Sequence, residues 1–178
     1  AGRLSYTYDN RYVAEFNFGY NGSENFAKGK RFGFFPSLAI GWLMSEEPWM
    51  QKYHKTFNKI KFRASVGKAG DDNIGGRRFA YLTTMNTNAE GYVWGTTGQS
   101  SYTGITEGDI GVSNLTWETV KKYNVGFELG LWNMLDFNLD IFRENRSNIF
   151  MKRTIIPTQS GFINAPWANF GKVTNGGV

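Results

Sequence analysis

Apolar and polar residues alternate with a period of two along much of this chain. Between residues 12 and 20 the even positions are aromatic or alanine, whereas the odd positions are mostly polar or small. Successive side chains of a β-strand point to opposite faces, so this pattern predicts strands with one apolar and one polar face. The same pattern covers residues 3–8, 34–42, 60–67, 123–131 and 135–141, less cleanly over 34–42, and a further strand is expected to open at residues 171–173.

The ends of the apolar faces are often aromatic. Tyr12 and Tyr20 close one such face, and Trp42 and Tyr123 close others. Aromatic rings are favoured at both edges of a membrane, although a soluble sandwich core would also alternate. The hypothesis that the strands cross a membrane predicts these lipid-facing residues: Tyr12, Phe16, Phe18, Tyr20, Tyr123, Phe127, Leu129, Phe137 and Leu139. It places Arg63, Glu128, Asp136 and Asp140 on the inner face, where they would hydrate the interior or pair with a plug.

The links between the strands have unequal lengths. When the strands are counted alternately up and down, the links at residues 9–11, 45–58 and 132–134 share one side. The links at 21–31, 68–116 and after residue 150 share the other. Short periplasmic turns and long extracellular loops are typical of outer-membrane barrels. We therefore predict an all-β, antiparallel transmembrane barrel wall with a long extracellular loop at about residues 68–116. About six or seven strands cannot close a large barrel, so the chain is expected to be part of one.

Composition narrows the function. Aromatic residues make up 17% of the chain, with 22 Gly and no Cys, which excludes disulfides and thiolate metal sites. The net charge of +5 is scattered rather than clustered, so we predict no nucleic-acid partner. No run approaches the roughly 18 apolar residues of a transmembrane helix.

Residues that could carry chemistry are few. His54 is the only histidine, so the chain alone can form neither a Ser-His-Asp triad nor a multi-histidine metal site. The adjacent acidic pairs, at residues 46–47 and 71–72, rarely face each other across a substrate. Asp71 and Asp72 are weak candidates for Ca²⁺, without EF-hand spacing. We predict no enzymatic activity, no metal and no cofactor.

A candidate ligand site lies in the long loop. Tyr92, Trp94 and Tyr102 occur among Gly, Thr and Ser residues. Exposed rings beside hydrogen-bonding groups suit sugars, whose CH faces stack on aromatic rings. The alternative is that these rings pack the loop against its neighbours.

Several blocks resemble the barrel of SusC/RagA-type TonB-linked outer-membrane proteins of Bacteroidetes. They occur in that family's order along the chain. They are residues 8–26 (YDNRYVAEFNFGYNGSENF), 34–49 (FFPSLAIGWLMSEEPW), 58–70 (NKIKFRASVGKAG), 115–126 (LTWETVKKYNVG) and 169–178 (NFGKVTNGGV).

The resemblance implies a barrel of about 22 strands with an N-terminal plug, which imports oligosaccharides or peptides through the outer membrane of a Gram-negative cell. It implies a SusD-like surface lipoprotein as a partner and energy from TonB-ExbB-ExbD. The plug and TonB box are expected upstream of Ala1, so this segment alone could not transduce energy. Two alternatives stay open: a passive porin or adhesin barrel, and a soluble carbohydrate-binding β-sandwich.

Overall fold

A computed structural model describes residues 1–96, 98, 100–162 and 164–178, and only the backbone of Ser100 and Thr158. Single-turn 3-10 helices occur at Met44–Glu46, Gln51–Tyr53 and Thr158–Ser160. Within these ranges no helix is long and apolar enough to cross a membrane. The strands are β1 (Gly2–Tyr8), β2 (Tyr12–Gly22), β3 (Phe32–Leu43), β4 (Phe57–Asp71), β5 (Met85–Trp94), β6 (Ser100–Glu107), β7 (Glu118–Leu131), β8 (Leu135–Lys152) and β9 (Trp167–Gly177).

The main sheet is an antiparallel meander. Its seven strands lie in the order β1-β2-β3-β4-β7-β8-β9, so each strand pairs with the next one along the chain except where β5 and β6 intervene. Strands β5 and β6 form a separate antiparallel hairpin. The predicted fold class is confirmed. The hairpin inside the long link was not predicted.

Two of the tight links are turns that require unusual backbone angles. Asp9 and Asn10 have φ of 50° and 51°, and Trp132 and Asn133 have φ of 52° and 53°. Positive φ at both central residues is characteristic of the type I′ turns that suit the twist of a hairpin. Both turns lie at the same end of the sheet, which we call the tight-link end. The links 23–31, 72–117 and 153–166 lie at the opposite, long-link end.

The largest buried cluster lies at the long-link end. Phe26, from the link between β2 and β3, packs against Ile74, Leu115 and Trp117 from the link between β4 and β7. The ring centroids of Phe26 and Trp117 are 5.1 Å apart. The Trp117 indole N–H donates to the Arg31 carbonyl oxygen at 3.2 Å. This cluster ties the base of the long link to its neighbour.

Several strands are longer than the alternation predicted, β4 and β8 among them. Strand β4 continues to Asp71, so the long link covers residues 72–117, and β8 continues to Lys152. The register of β8 against β9 shifts around Asn148, which has φ of 60°. The Asn169 amide nitrogen donates to the backbone oxygens of Asn148 at 2.9 Å and Thr116 at 3.1 Å. The Asn169 side chain thus satisfies a backbone oxygen at the irregular position and a second one in the long link.

Candidate functional site

One face of the main sheet carries a row of aromatic rings that crosses four strands. Tyr12, Trp42, Phe62 and Phe127 are partners in register on β2, β3, β4 and β7. Their successive ring centroids are 6.4, 5.9 and 4.9 Å apart. Cross-strand aromatic neighbours of this kind stabilise a sheet. The row also makes this face strongly apolar, and we call it the aromatic face.

The aromatic face is the more exposed one, which is the reverse of a soluble protein. Along the first part of β2 the aromatic positions are exposed and the polar positions between them are half-buried. The exposure of its side chains shows that no second sheet covers this face within the described residues, as a soluble sandwich would require. All the residues predicted to face lipid lie on it. Tyr12, Phe16, Phe18, Tyr20, Tyr123 and Phe137 are exposed, and Phe127, Leu129 and Leu139 are half-buried.

The opposite face, which we call the inner face, carries an ionic network. The Glu128 carboxylate lies 2.6 Å from Lys59 Nζ, 3.3 Å from Arg63 Nη1 and 3.9 Å from Lys61 Nζ. Its side chain is only 11% exposed. Arg63 also lies 2.5 Å from Asp140 Oδ2 through its Nη2 atom. The network joins β4, β7 and β8, and Asp136 makes no ion pair in the part of the chain that the structure describes.

A glycine makes this network possible. Gly126 lies on β7 between Arg63 on β4 and Asp140 on β8, in register with both. A Cβ atom at this position would lie 2.7 Å from Arg63 Cγ and 2.8 Å from Asp140 Oδ1. Any larger residue would therefore displace the pair. The missing side chain lets the guanidinium cross a whole strand.

Further ion pairs and polar side chains lie on the inner face. Lys122 pairs with Glu144 at 2.9 Å, and Arg146 pairs with Glu118 at 2.6 Å. A recess of about 430 Å³ opens beside the Arg63 side chain. Its lining includes Ala39, Arg63, Ser65, Asn124 and Asp140. A polar, hydrated surface of this kind is typical of the interior of a large barrel.

A second carboxylate is held at the tight-link end. Glu47, from the link between β3 and β4, is buried. Its carboxylate accepts hydrogen bonds from the Tyr12 hydroxyl at 2.6 Å, the Trp42 indole N–H at 3.1 Å and Arg11 Nη1 at 3.0 Å. These donors, the Tyr12 hydroxyl foremost, hold the pKa of Glu47 below its usual value. Arg11 also pairs with Asp9. The link is thereby fastened to the rim of the aromatic face.

The predicted ligand residues come together on the β5–β6 hairpin. Tyr92 pairs with Tyr102 across the hairpin, and the Tyr92 and Trp94 rings are 4.9 Å apart. The three side chains are 67%, 60% and 68% exposed for Tyr92, Trp94 and Tyr102. Within the described residues the three rings form an open aromatic surface.

The remaining candidates have local roles in the structure. Asp71 Oδ1 accepts from the Asn73 backbone N–H at 2.9 Å, and Asn73 Oδ1 accepts from the Gly75 N–H at 3.0 Å. These contacts shape a turn after β4. The described residues hold no group of three or more His, Asp or Glu side chains that would bind a metal. His54 Nε2 lies 3.9 Å from Glu46 Oε1 in the link between β3 and β4.

Gly126 and Glu47 were not predicted as site residues. Gly126 could have been found only with the register of β4 against β7, because that register sets the glycine opposite Arg63. For Glu47 the signal was weaker. A glutamate five positions after the Trp42 that closes an aromatic face could have suggested a contact between the two.

An antiparallel sheet with an exposed aromatic face and a charged inner face is the wall of a transmembrane β-barrel. The sequence matches the family model described as "TonB dependent receptor-like, beta-barrel" over residues 1–178, and the chain belongs to this family. The family is one of outer-membrane receptors and transporters, not enzymes, as predicted, and the open sheet is part of a larger barrel.

Named relatives support this family assignment. The chain is 33% identical over 177 residues to TonB-dependent receptor P26 of Formosa agariphila, and 31% identical over 180 residues to TonB-dependent receptor SusC of Bacteroides thetaiotaomicron. Each match covers 99% of this chain but only 17% of the relative. Its fold is also similar to a solved structure titled "Structure of the RagAB peptide transporter", with a TM-score of 0.77 and 22% identity. That match covers 98% of this chain and 18% of the solved one. The resemblance to the SusC/RagA family is confirmed.

Proposed function

We propose that this chain forms part of the barrel wall of a TonB-dependent importer that carries oligosaccharides or peptides inward across the outer membrane. The observation that carries the proposal is the division of one sheet into an aromatic face for lipid and an ionic inner face for a hydrated interior. Family membership supports the energised importer over a passive porin or adhesin. TonB-ExbB-ExbD and a SusD-like lipoprotein are the proposed partners.

Energy coupling is tested in cells that express the protein at its natural full length. Uptake of a labelled cargo should stop when TonB is deleted or when an uncoupler dissipates the inner-membrane proton gradient. A passive pore needs neither. Uptake that continues unchanged under both treatments would refute the importer and favour a porin.

Tyr92, Trp94 and Tyr102 are the proposed cargo contacts, on the side that faces outward from the cell. Their support is the exposure of all three rings on one hairpin and the absence of Lys, Arg and His between residues 85 and 107. Polar groups beside aromatic rings suit the hydroxyls and CH faces of a sugar chain, and rings also bind apolar side chains of peptides.

The hairpin is tested with a double variant, Tyr92→Ala with Trp94→Ala. Binding should be measured by calorimetry, with oligosaccharide and peptide mixtures as the probes and with any surface lipoprotein partner present. Each stacking ring contributes about 0.5–1.5 kcal/mol, so the loss of two rings should weaken binding by roughly 5- to 150-fold. Val93→Ala, which changes the neighbouring position of the same strand, is the matched control. Equal binding by the double variant and the control would refute the assignment.

A further inference from the structure

The link between β3 and β4 lies against the aromatic face rather than extending away from the barrel. The Glu47 carboxylate bonds to Tyr12 and Trp42, both on that face. Met50 in the link is buried, and so is Ile60 near the start of β4, the strand that contacts the 3-10 helix Met44–Glu46. The link is therefore fixed to the outside of the wall at the tight-link end.

The other side of this link presents aromatic and basic side chains to the surroundings. Trp49 is 53% exposed and Tyr53 is 57% exposed. Lys52 and Lys55 are exposed beside Tyr53 and make no ion pair in the described part of the chain. Backbone hydrogen bonds from Met50 N–H to the Glu47 carbonyl and from Tyr53 N–H to the Met50 carbonyl keep the segment compact.

The surroundings of these side chains follow from the position of the link. It lies beside the row formed by Tyr12, Trp42 and Phe62, because Glu47 in the link bonds to Tyr12 and Trp42. Tryptophan and tyrosine rings are favoured at the depth of lipid headgroups, because the ring is apolar and its N–H or O–H is polar. Lysine side chains there reach phosphate groups. Contact with water alone would not stabilise the two half-exposed rings in this way.

We propose that residues 44–56 are an interfacial anchor, a segment that rests in the phospholipid headgroup layer at the tight-link end of the barrel. Trp49 and Tyr53 enter the layer, and Lys52 and Lys55 contact its phosphates. Glu47 fastens the anchor to the wall. The anchor is independent of cargo and of energy coupling, and it needs only that the barrel spans the membrane.

Depth measurements with spin labels test the anchor. The protein at its natural full length, with other cysteines replaced by serine, carries a single label at Trp49→Cys or Tyr53→Cys in phosphatidylethanolamine and phosphatidylglycerol vesicles. The depth of each label is obtained by comparing its accessibility to oxygen with its accessibility to a water-soluble nickel complex. Val125→Cys on the aromatic face and Glu90→Cys on the hairpin, both exposed, provide the lipid and water references.

Labels at positions 49 and 53 should give depths between the two references. Values equal to the Glu90 reference would overturn the anchor and leave water or a protein partner as the neighbour. A Val125 label that reports water would overturn both the anchor and the insertion of the barrel.

The fastening by Glu47 has its own test. Glu47→Ala should move the label at position 49 towards the water reference and leave the label at Val125 unchanged. An unchanged depth at position 49 would refute the role of Glu47. Replacing Lys52 and Lys55 by Gln should reduce the stability gained when phosphatidylglycerol replaces phosphatidylcholine, and an undiminished gain would refute the phosphate contacts.

Discussion

Arg63 on β4 and Asp140 on β8 form an ion pair across the strand that separates them, with Nη2 and Oδ2 2.5 Å apart. Adjacent strands lie about 4.8 Å apart, so the pair spans two such spacings. The long guanidinium side chain covers this distance only because Gly126 leaves its path open. The pair fastens three strands of the inner face together.

Gly126→Ala should separate this pair. In a strand, alanine is normally favoured over glycine by about 0.5–1 kcal/mol, because glycine loses more backbone entropy on folding. Gly41→Ala, whose new Cβ would meet its nearest neighbour, Val13 Cβ, at 3.8 Å, should show that gain. Gly126→Ala should not show that gain, and its free energy of unfolding should be lower than that of Gly41→Ala by about 1 kcal/mol. Urea unfolding from lipid vesicles measures both free energies.

The cause of that difference can be isolated. In an Asp140→Ala background the pair is already broken, so the penalty of Gly126→Ala should shrink. Equal free energies of unfolding for Gly126→Ala and Gly41→Ala in the parent protein would contradict the role assigned to the glycine.

Glu128 should matter more to stability than Asp140, although both belong to one network. Glu128 is nearly buried and faces three cations, whereas the Asp140 side chain is 40% exposed and faces one. Glu128→Gln leaves the cations without their shared partner and should cost about 2 kcal/mol, the usual contribution of a hydrogen bond to a charged group. Asp140→Asn should cost about 1 kcal/mol or less. Unfolding in urea checks the order, and a larger loss for Asp140→Asn would contradict it.

The strands of the wall could be predicted because apolar and polar side chains alternate along them. From Tyr12 to Tyr20 and from Tyr123 to Leu131 every second residue belongs to the same face, and the register confirms those faces. The second half of β8 breaks the rule, because the irregularity at Asn148 shifts the register and charged residues replace the apolar ones. The β5–β6 hairpin was hidden for a similar reason: its register shifts twice and its residues are mostly small and polar.

Phe16→Arg tests which face meets lipid. Phe16 and Asn17 are neighbours on β2 that point to opposite faces. Near the middle of a membrane an arginine on the lipid face costs roughly 2–4 kcal/mol, whereas a hydrated interior tolerates it. Phe16→Arg should therefore lower the free energy of unfolding in vesicles by that amount and Asn17→Arg by much less. Similar losses for the two variants would show that the faces are assigned wrongly.

The sites were harder to predict than the wall, because they depend on residues from different strands. Arg63 and Asp140 lie far apart in the sequence, and their contact requires the register of two strand pairs and a gap at Gly126. Glu47 stands in a link without alternation, so nothing local shows that it turns back onto Tyr12. The aromatic residues of the hairpin were easier, since Tyr92 and Trp94 are two positions apart and share a face.

Glu47 should make the tight-link end sensitive to acid. Its pKa in the folded protein lies below the ordinary value of about 4.3, so its contribution to stability is complete above the pKa of the unfolded chain. That contribution is lost as the pH falls through the lower, folded value, because the protonated carboxyl accepts the hydrogen bonds of Tyr12 and Trp42 more weakly and no longer attracts Arg11. Glu47→Gln lacks this titration. Urea unfolding of both proteins should therefore show a constant difference above about pH 5 that shrinks below about pH 4. A difference that stays constant down to pH 3, or grows, would contradict the assigned contacts of Glu47.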